Sequence, residues 1–434
     1  LEVTKLMEKE TPFFILISVV AILFFIGLSP FLLFAQGPSE PKRVPSEREM
    51  AFHALKLGDD LFHKRMFSEA IVQFRLAVKL QPEEGIFHQR LGDSLLKKGV
   101  VREALKEFEE ANRLKPLFPP TYLGRGMAYS RMFETEKAIS ILKEGIALDS
   151  NFAPLYFELA MAYAREDRLE EAIQAIESGL KIDSRAKPFE EILKQLRQEL
   201  EAERDFVTLR GEHFTIKYHP EQDKAFVESV LKDLEESYTR LSKELKVKSI
   251  PKIIVKIYPD LRWFQQAAST PEWFKGGVAK SKENKILLAT PKRPKNIERL
   301  HIVLSHELTH IFMDLITHGN RPGWLNEGMA IWMSGDEKDV KPLAEAIRKG
   351  EFIPLKRLEE PFLRNIKNPE EMRLAYIESY LTVQILSEKN GKGSLIKFLE
   401  SLSEGEDFEE ALKRNFGKDY ASLEEDLKKY IMSK

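Results

Sequence analysis

The chain has 434 residues, 43% of them hydrophobic and 31% charged, proportions ordinary for a folded protein of two or three domains and not for a disordered one. Its 67 Lys and Arg against 69 Asp and Glu leave a formal net charge of −2, which gives no bulk electrostatic reason to expect nucleic acid as a partner. Cysteine is absent, so disulfides, thiolate nucleophiles and Cys-ligated zinc or iron–sulfur centres are excluded, and a metal site must be built from His and carboxylates.

Phe13 to Ala35 carries no charge and is dominated by Phe, Ile, Leu and Val. As a helix it would reach roughly 34 Å, enough for a bilayer core of about 30 Å. Pro12 suits a first helical turn, whereas Pro30 would kink or shorten the helix. The run exceeds the apolar part of a cleaved signal, about 7–15 residues, and closes on Leu33-Phe34-Ala35, so an uncleaved single-pass anchor over residues 1–35 is expected. Lys5 and Lys9 before the span and Lys42, Arg43 and Arg48 after it do not decide orientation by charge. The large body that follows a short tail is expected outside the cytoplasm. Residues 36–47, rich in Pro, Ser and charge, read as a linker.

A repeat follows. Ala70, Ala104, Ala138 and Ala172 stand 34 residues apart, and Ala77, Ala111, Gly145 and Gly179 keep the same phase. So do Gly58, Gly92, Gly126 and Ala160, and the larger Leu61, Leu95, Tyr129 and Tyr163. Small residues at these offsets let two helices of each unit approach, while the larger ones fill the next layer. The pattern resembles the tetratricopeptide repeat, in four copies over about 51–186. That resemblance implies an all-α solenoid whose concave groove takes a protein or peptide partner; the bland alternative is a spacer. Residues 187–204 have helical spacing and would cap the array, which is thus expected to span 48–204.

A second domain is expected over 205–434. Alternation around His213 to Tyr218 predicts a strand within 206–218, followed by a helix at about 221–246. Lys252–Tyr258 reads as a second strand, Leu261–Ala268 as a short helix and Lys285–Ala289 as a third strand. From Asn296 the pattern is helical almost to the end, giving a small α+β unit.

His306-Glu307-Leu308-Thr309-His310 lies in a helix predicted over 297–316. Residues i and i+4 share a helix face, so both histidines can aim a ring nitrogen at one ion, and Glu307 stands beside that face within reach of a metal-held water. Catalytic zinc needs three protein ligands, so one is missing. A metzincin arrangement would require Gly at 313 and His at 316, where this chain has Met313 and Ile316. After a break at Arg321-Pro322-Gly323, a new helix is predicted from Trp324 through Asn326 and Glu327, and a helix–turn–helix would bring Glu327 back across the first.

The sequence here is similar to the gluzincin metallopeptidases, in their compact peptidase MA-like branch. The resemblance implies Zn²⁺ held by His306, His310 and Glu327, with Glu307 as general base and a peptide bond as substrate. It also implies a tyrosine hydroxyl at the reacting carbonyl from the helix that contains Tyr376-Ile377-Glu378-Ser379-Tyr380. Tyr376 aligns best, and Tyr380 one turn on stays open. Asn326 is a candidate to orient a ligand histidine; His301 and His318 are expected to be structural or at the surface. Lys285–Ala289, after Gly276-Gly277-Val278-Ala279, sits where the family places an edge strand that pairs with extended substrate. Glu283-Asn284 is only a fragment of the aminopeptidase G-x-M-E-N element, so endopeptidase activity is expected. An inert scaffold acting through its repeats is the rival. Residues 331–370, rich in Gly and Pro, read either as a mobile lid or as a long connection.

Overall fold

The structure is a computed structural model. It describes residues 45–433 apart from 248–249, 269–276, 290–296, 360–365 and 367. Among the described residues no helix is long and apolar enough to cross a membrane. The span expected at 13–35, and most of the linker after it, lie outside them.

Four helix pairs follow the repeat: α1 (Glu47–His63) with α2 (Phe67–Leu80), α3 (Gly85–Lys98) with α4 (Val101–Leu114), α5 (Pro119–Arg131) with α6 (Thr135–Leu148), and α7 (Ala153–Arg165) with α8 (Leu169–Ile182). Ala70, Ala104, Ala138 and Ala172 are fully buried between paired helices, as their small size predicted. The turn inside each pair carries one left-handed residue at the same phase: Arg65 at φ 62°, Gly99 at 94°, Phe133 at 58° and Asp167 at 60°. A sharp reversal of this kind demands positive φ, which non-glycine residues accept only when the surrounding packing compels it. Capping helix α9 (Lys187–Ala202) closes the stack, with Phe189 stacked on Phe157 at 3.8 Å between ring centroids.

The C-terminal half opens with β1 (Val207–Arg210) and β2 (Phe214–Tyr218), a hairpin turning at Gly211 where one strand was expected. It continues through α10 (Lys224–Glu244), β3 (Ile253–Tyr258), α11 (Leu261–Ala268), β4 (Gly277–Lys280), a 3₁₀ turn at Ser281–Glu283 and β5 (Lys285–Ala289). The sheet order is β1-β2-β3-β5-β4, with β2, β3 and β5 parallel and the two outer strands antiparallel. This corrects one expectation. β5 is paired on both sides, and among the described residues the edge is β4, which covers it with Gly277 opposite Leu288 and Lys280 opposite Lys285.

Helices complete the unit: α12 (Ile297–Thr317), α13 (Gly323–Ser334), α14 (Lys341–Arg348), α15 (Pro369–Asn390), α16 (Lys392–Ser403), α17 (Phe408–Phe416) and α18 (Tyr420–Met432). The inner sheet face, with Ile216, Val255, Ile257, Ile286 and Leu288, packs on α10 and α12 through Val230, Leu234, Leu308 and Ile311. Buried side chains of this size each contribute about 1.5–3 kcal/mol of hydrophobic stabilisation. Side chains hold the connection after α13 at two points: Glu378 accepts from the Ile353 N–H at 3.1 Å, and Glu424 from the Leu355 N–H at 2.8 Å.

The outer sheet face is covered as well, and by the array. Lys256 of β3 and Lys285 of β5 are completely buried. Lys256 Nζ donates to Glu199 at 2.7 Å and Glu203 at 2.6 Å, both on the C-terminal side of the array, and lies 2.5 Å from Asp167. Lys285 lies 3.2 Å from Asp167, and Lys217 of β2 also pairs with that carboxylate. Despite the penalty of burial, the lysine charges hold the Asp167 and Glu199 carboxyls below their usual range. Ala51–Lys434 accordingly forms one compact unit.

Candidate metal centre

α12 runs beneath the β4 edge and turns at His318–Pro322 into α13, which brings Glu327 to His306 and His310. His306 Nε2 and His310 Nε2 are 3.2 Å apart, and Glu327 Oε2 lies 3.6 Å from the first and 3.5 Å from the second. These three are the group able to hold a metal among the described residues. A tetrahedral ion with ligands at 2.0–2.1 Å requires ligand atoms about 3.3–3.4 Å from one another. The observed triangle has that size. The donor set, two imidazoles and a carboxylate, is one that suits Zn²⁺. Burial opposes ionisation of Glu327, but the charges of His310, His306 and Arg321 outweigh it and hold the carboxyl below its ordinary value.

Glu307 is 7% exposed and points beside the triangle, where its Oε2 accepts the backbone N–H of Ala279 at 2.6 Å. Burial raises its carboxyl to about 7, with Glu327 adding to the rise and His310 and the Ala279 N–H opposing it. A Cβ on Gly277 would stand 3.0 Å from Glu307 Cγ, so the strand comes this close because that residue is glycine.

α15 crosses α13 at Gly328, immediately after Glu327; a Cβ there would lie 2.2 Å from the Ser379 carbonyl oxygen. This close crossing carries Tyr376 to the centre. Its hydroxyl is pushed well above the ordinary tyrosine value by burial and by the charges of Glu327 and Glu307. Tyr380 instead faces Glu337, Tyr430 and Glu388, and packs with Leu343 and Leu427. Both tyrosines pack on this cluster, but the charges that act on Tyr376 are those of the centre, Glu327 and Glu307, and those that act on Tyr380 are not.

Other expected residues lie elsewhere or stay unjoined. Asn326 Oδ1 and His310 Nδ1 are both buried without a hydrogen-bond partner among the described residues, so no bond from Asn326 to a ligand histidine is formed. His301 sits 3.9 Å from Asp233 at the surface, and His318 lies in the left-handed turn after α12, facing the array's Arg131 and Arg102. Asn284 closes the turn before β5 and donates to the Pro251 and Lys252 carbonyls, a structural role. One residue was missed. Asp314, 6% exposed, accepts from Arg321 Nη2 at 2.6 Å and from the Ser281 hydroxyl, tying the turn ahead of Glu327 and the end of β4 to α12. Its signal was available, since 306, 310 and 314 lie on one face of the helix.

Residues 234–433 match the family model of the Peptidase MA superfamily. Residues 234–433 are thus a Peptidase MA superfamily domain. Residues 119–152 and 153–185 match the tetratricopeptide repeat model, so the last two helix pairs of the array are such repeats. No curated protein matches the chain. Among solved structures it is similar to the first TPR of Spaghetti (RPAP3) bound to an HSP90 peptide, at 22% identity over 27% of this chain and 94% of that one, with a TM-score of 0.27. It is likewise similar to MamA from Desulfovibrio magneticus RS-1 (16% identity, 35% and 86% coverage, TM-score 0.32). A third is a thermophilic TPR protein of Thermus thermophilus (18%, 45% and 94%, 0.32). The domain adjoins the repeats through the lysine cluster on its sheet.

Proposed function

We propose that this protein is a zinc-dependent endopeptidase that hydrolyses peptide bonds in protein substrates. Residues 13–35 serve as membrane anchor, the body lies outside the cytoplasm, and the repeats bring a substrate or partner protein to the domain. The observation that carries the reading is the triangle of His306, His310 and Glu327 with Glu307 buried at its side.

Zn²⁺ bound by His306, His310 and Glu327 would supply Lewis acidity, lowering the pKa of water from 15.7 towards about 7 and polarising the scissile carbonyl. The chain's own groups do the rest. Glu307, oriented by the Ala279 N–H, takes the proton of the attacking water and returns it to the leaving amine. Tyr376, kept protonated by its surroundings, donates its O–H to the carbonyl oxygen as charge develops there. The edge strand β4 supplies main-chain groups to an extended substrate, which orients it without regard to sequence.

The test is metal content of purified residues 36–434 beside a Glu327→Ala control, followed by cleavage assays with Glu307→Gln. About one zinc per chain, absent from the control, with proteolysis lost in Glu307→Gln while zinc is kept, is the expected result. Absence of tightly held metal in both proteins would instead favour an inert scaffold that acts through its repeats.

A further inference from the structure

A cavity of about 200 Å³ lies where the last repeat, its capping helix and the peptidase domain meet. Met161 and Ala164 of α7 and Leu196 of α9 line its array side, and Trp263 of α11 with Lys280 and Glu283 lines the other. Trp263 is 41% exposed, a large apolar surface for a residue between two packed layers.

The cavity borders the strand that reaches Glu307, on the opposite face. Gly277 and Ala279 of β4 look towards α12: the first abuts Glu307, and Ala279 packs against the inner core. Val278 and Lys280 look the other way, Val278 against Tyr258 and Leu287, and Lys280 into the cavity wall. Ala279 gives its N–H to Glu307 and not to β5, which marks the unpaired side of the strand.

A polypeptide added to that side must alternate in the same manner. Side chains turned towards α12 enter the metal centre, and their neighbours one residue along turn towards the array. We propose that the cavity is a specificity pocket for this second set and takes a large apolar side chain of the substrate. The inference rests on the peptidase reading and names what that site selects. Apolar residues make up most of the wall beside Gln195 and Gln198, and its charged residues are paired, Lys280 with Glu283 at 4.0 Å and Glu199 with Lys256 at 2.7 Å, so a charged side chain finds no free counter-charge there. The last repeat thereby touches the substrate itself.

The test uses the zinc-loaded Glu307→Gln chain, which holds peptide without cutting it, and short fluorescein-labelled Ala/Gly peptides carrying Phe at successive positions. Phe at one position should bind about tenfold or more tighter than Ala at that position. Met161→Trp, which fills the cavity, should erase the preference, and Met161→Ala should shift it to Trp. Zinc content and Tm verify that each variant is folded. Discrimination that persists unchanged in both folded variants overturns the pocket and leaves the peptidase reading intact. If the zinc-loaded chain binds no peptide and the wild type cleaves none, the peptidase reading fails and the pocket with it.

Discussion

Tyr376 and Tyr380 stand one helical turn apart, and only the first feels the charges of Glu307 and Glu327. Tyr376→Phe is therefore expected to lower kcat about 10²–10³-fold with zinc content unchanged, the loss typical of one oxyanion donor. Tyr380→Phe should stay near wild type, and steady-state kinetics on the two variants decide the matter. Asp314 works through others. Its carboxylate holds Arg321, whose charge in turn favours ionised Glu327. Asp314→Asn leaves a largely buried guanidinium without its counter-charge, which costs about 3 kcal/mol by analogy with broken buried pairs. It should also release zinc to a chelator more readily than wild type does; equal retention in a chelator competition would show that Asp314 has no influence on the centre.

At the level of elements, α15 supplies the site with Tyr376 on one side and anchors the connection through Glu378 on the other. Glu378 is fully buried, and burial above all raises its carboxyl to about 8. A carboxyl raised above its unfolded value of 4.5 binds more protons folded than unfolded in between, so it erodes stability as pH climbs from about 4.5 to 8. Glu378→Gln should accordingly stabilise the protein at pH 7, on the order of 2–3 kcal/mol, and leave it almost unchanged near pH 4. Thermal melts at the two pH values check the sign. How much of this was readable beforehand depends on how tightly chemistry ties residues to spacing. A shared ion forces His306 and His310 four apart, and helix pairing forces small residues into a fixed period, so both stood out. The place of β5 did not: four residues of β4 are too few for alternation to register, and nothing in Lys285–Ala289 says that another strand lies beside it. The hairpin at Gly211 was hidden because two short strands share one alternating pattern.

For the whole molecule, the decisive residues are lysines in apolar strands, Lys256 in KIIVKIY and Lys285 in KILLA. In hindsight a charge amid such residues announces a partner from another element; no pattern within the strand could say that it was the repeat array. Removal of residues 51–186 takes Asp167 from the cluster and the packing partners of α9 with it. Such a truncation is expected to lose cooperative unfolding, zinc and cleavage of small peptides together. Survival of peptide cleavage in that fragment would show that the domain stands alone. The turns inside the helix pairs have one more consequence. Solenoids ordinarily gain and lose units freely, since each touches only its neighbours. Here Gly99 meets Asn320, His318 faces the Arg131 backbone, and Asp167 reaches three strands. An inserted or deleted unit anywhere among these would carry every later contact off its mark. An added or deleted helix pair is therefore expected to be tolerated only before residue 85, at the N-terminal end of the array.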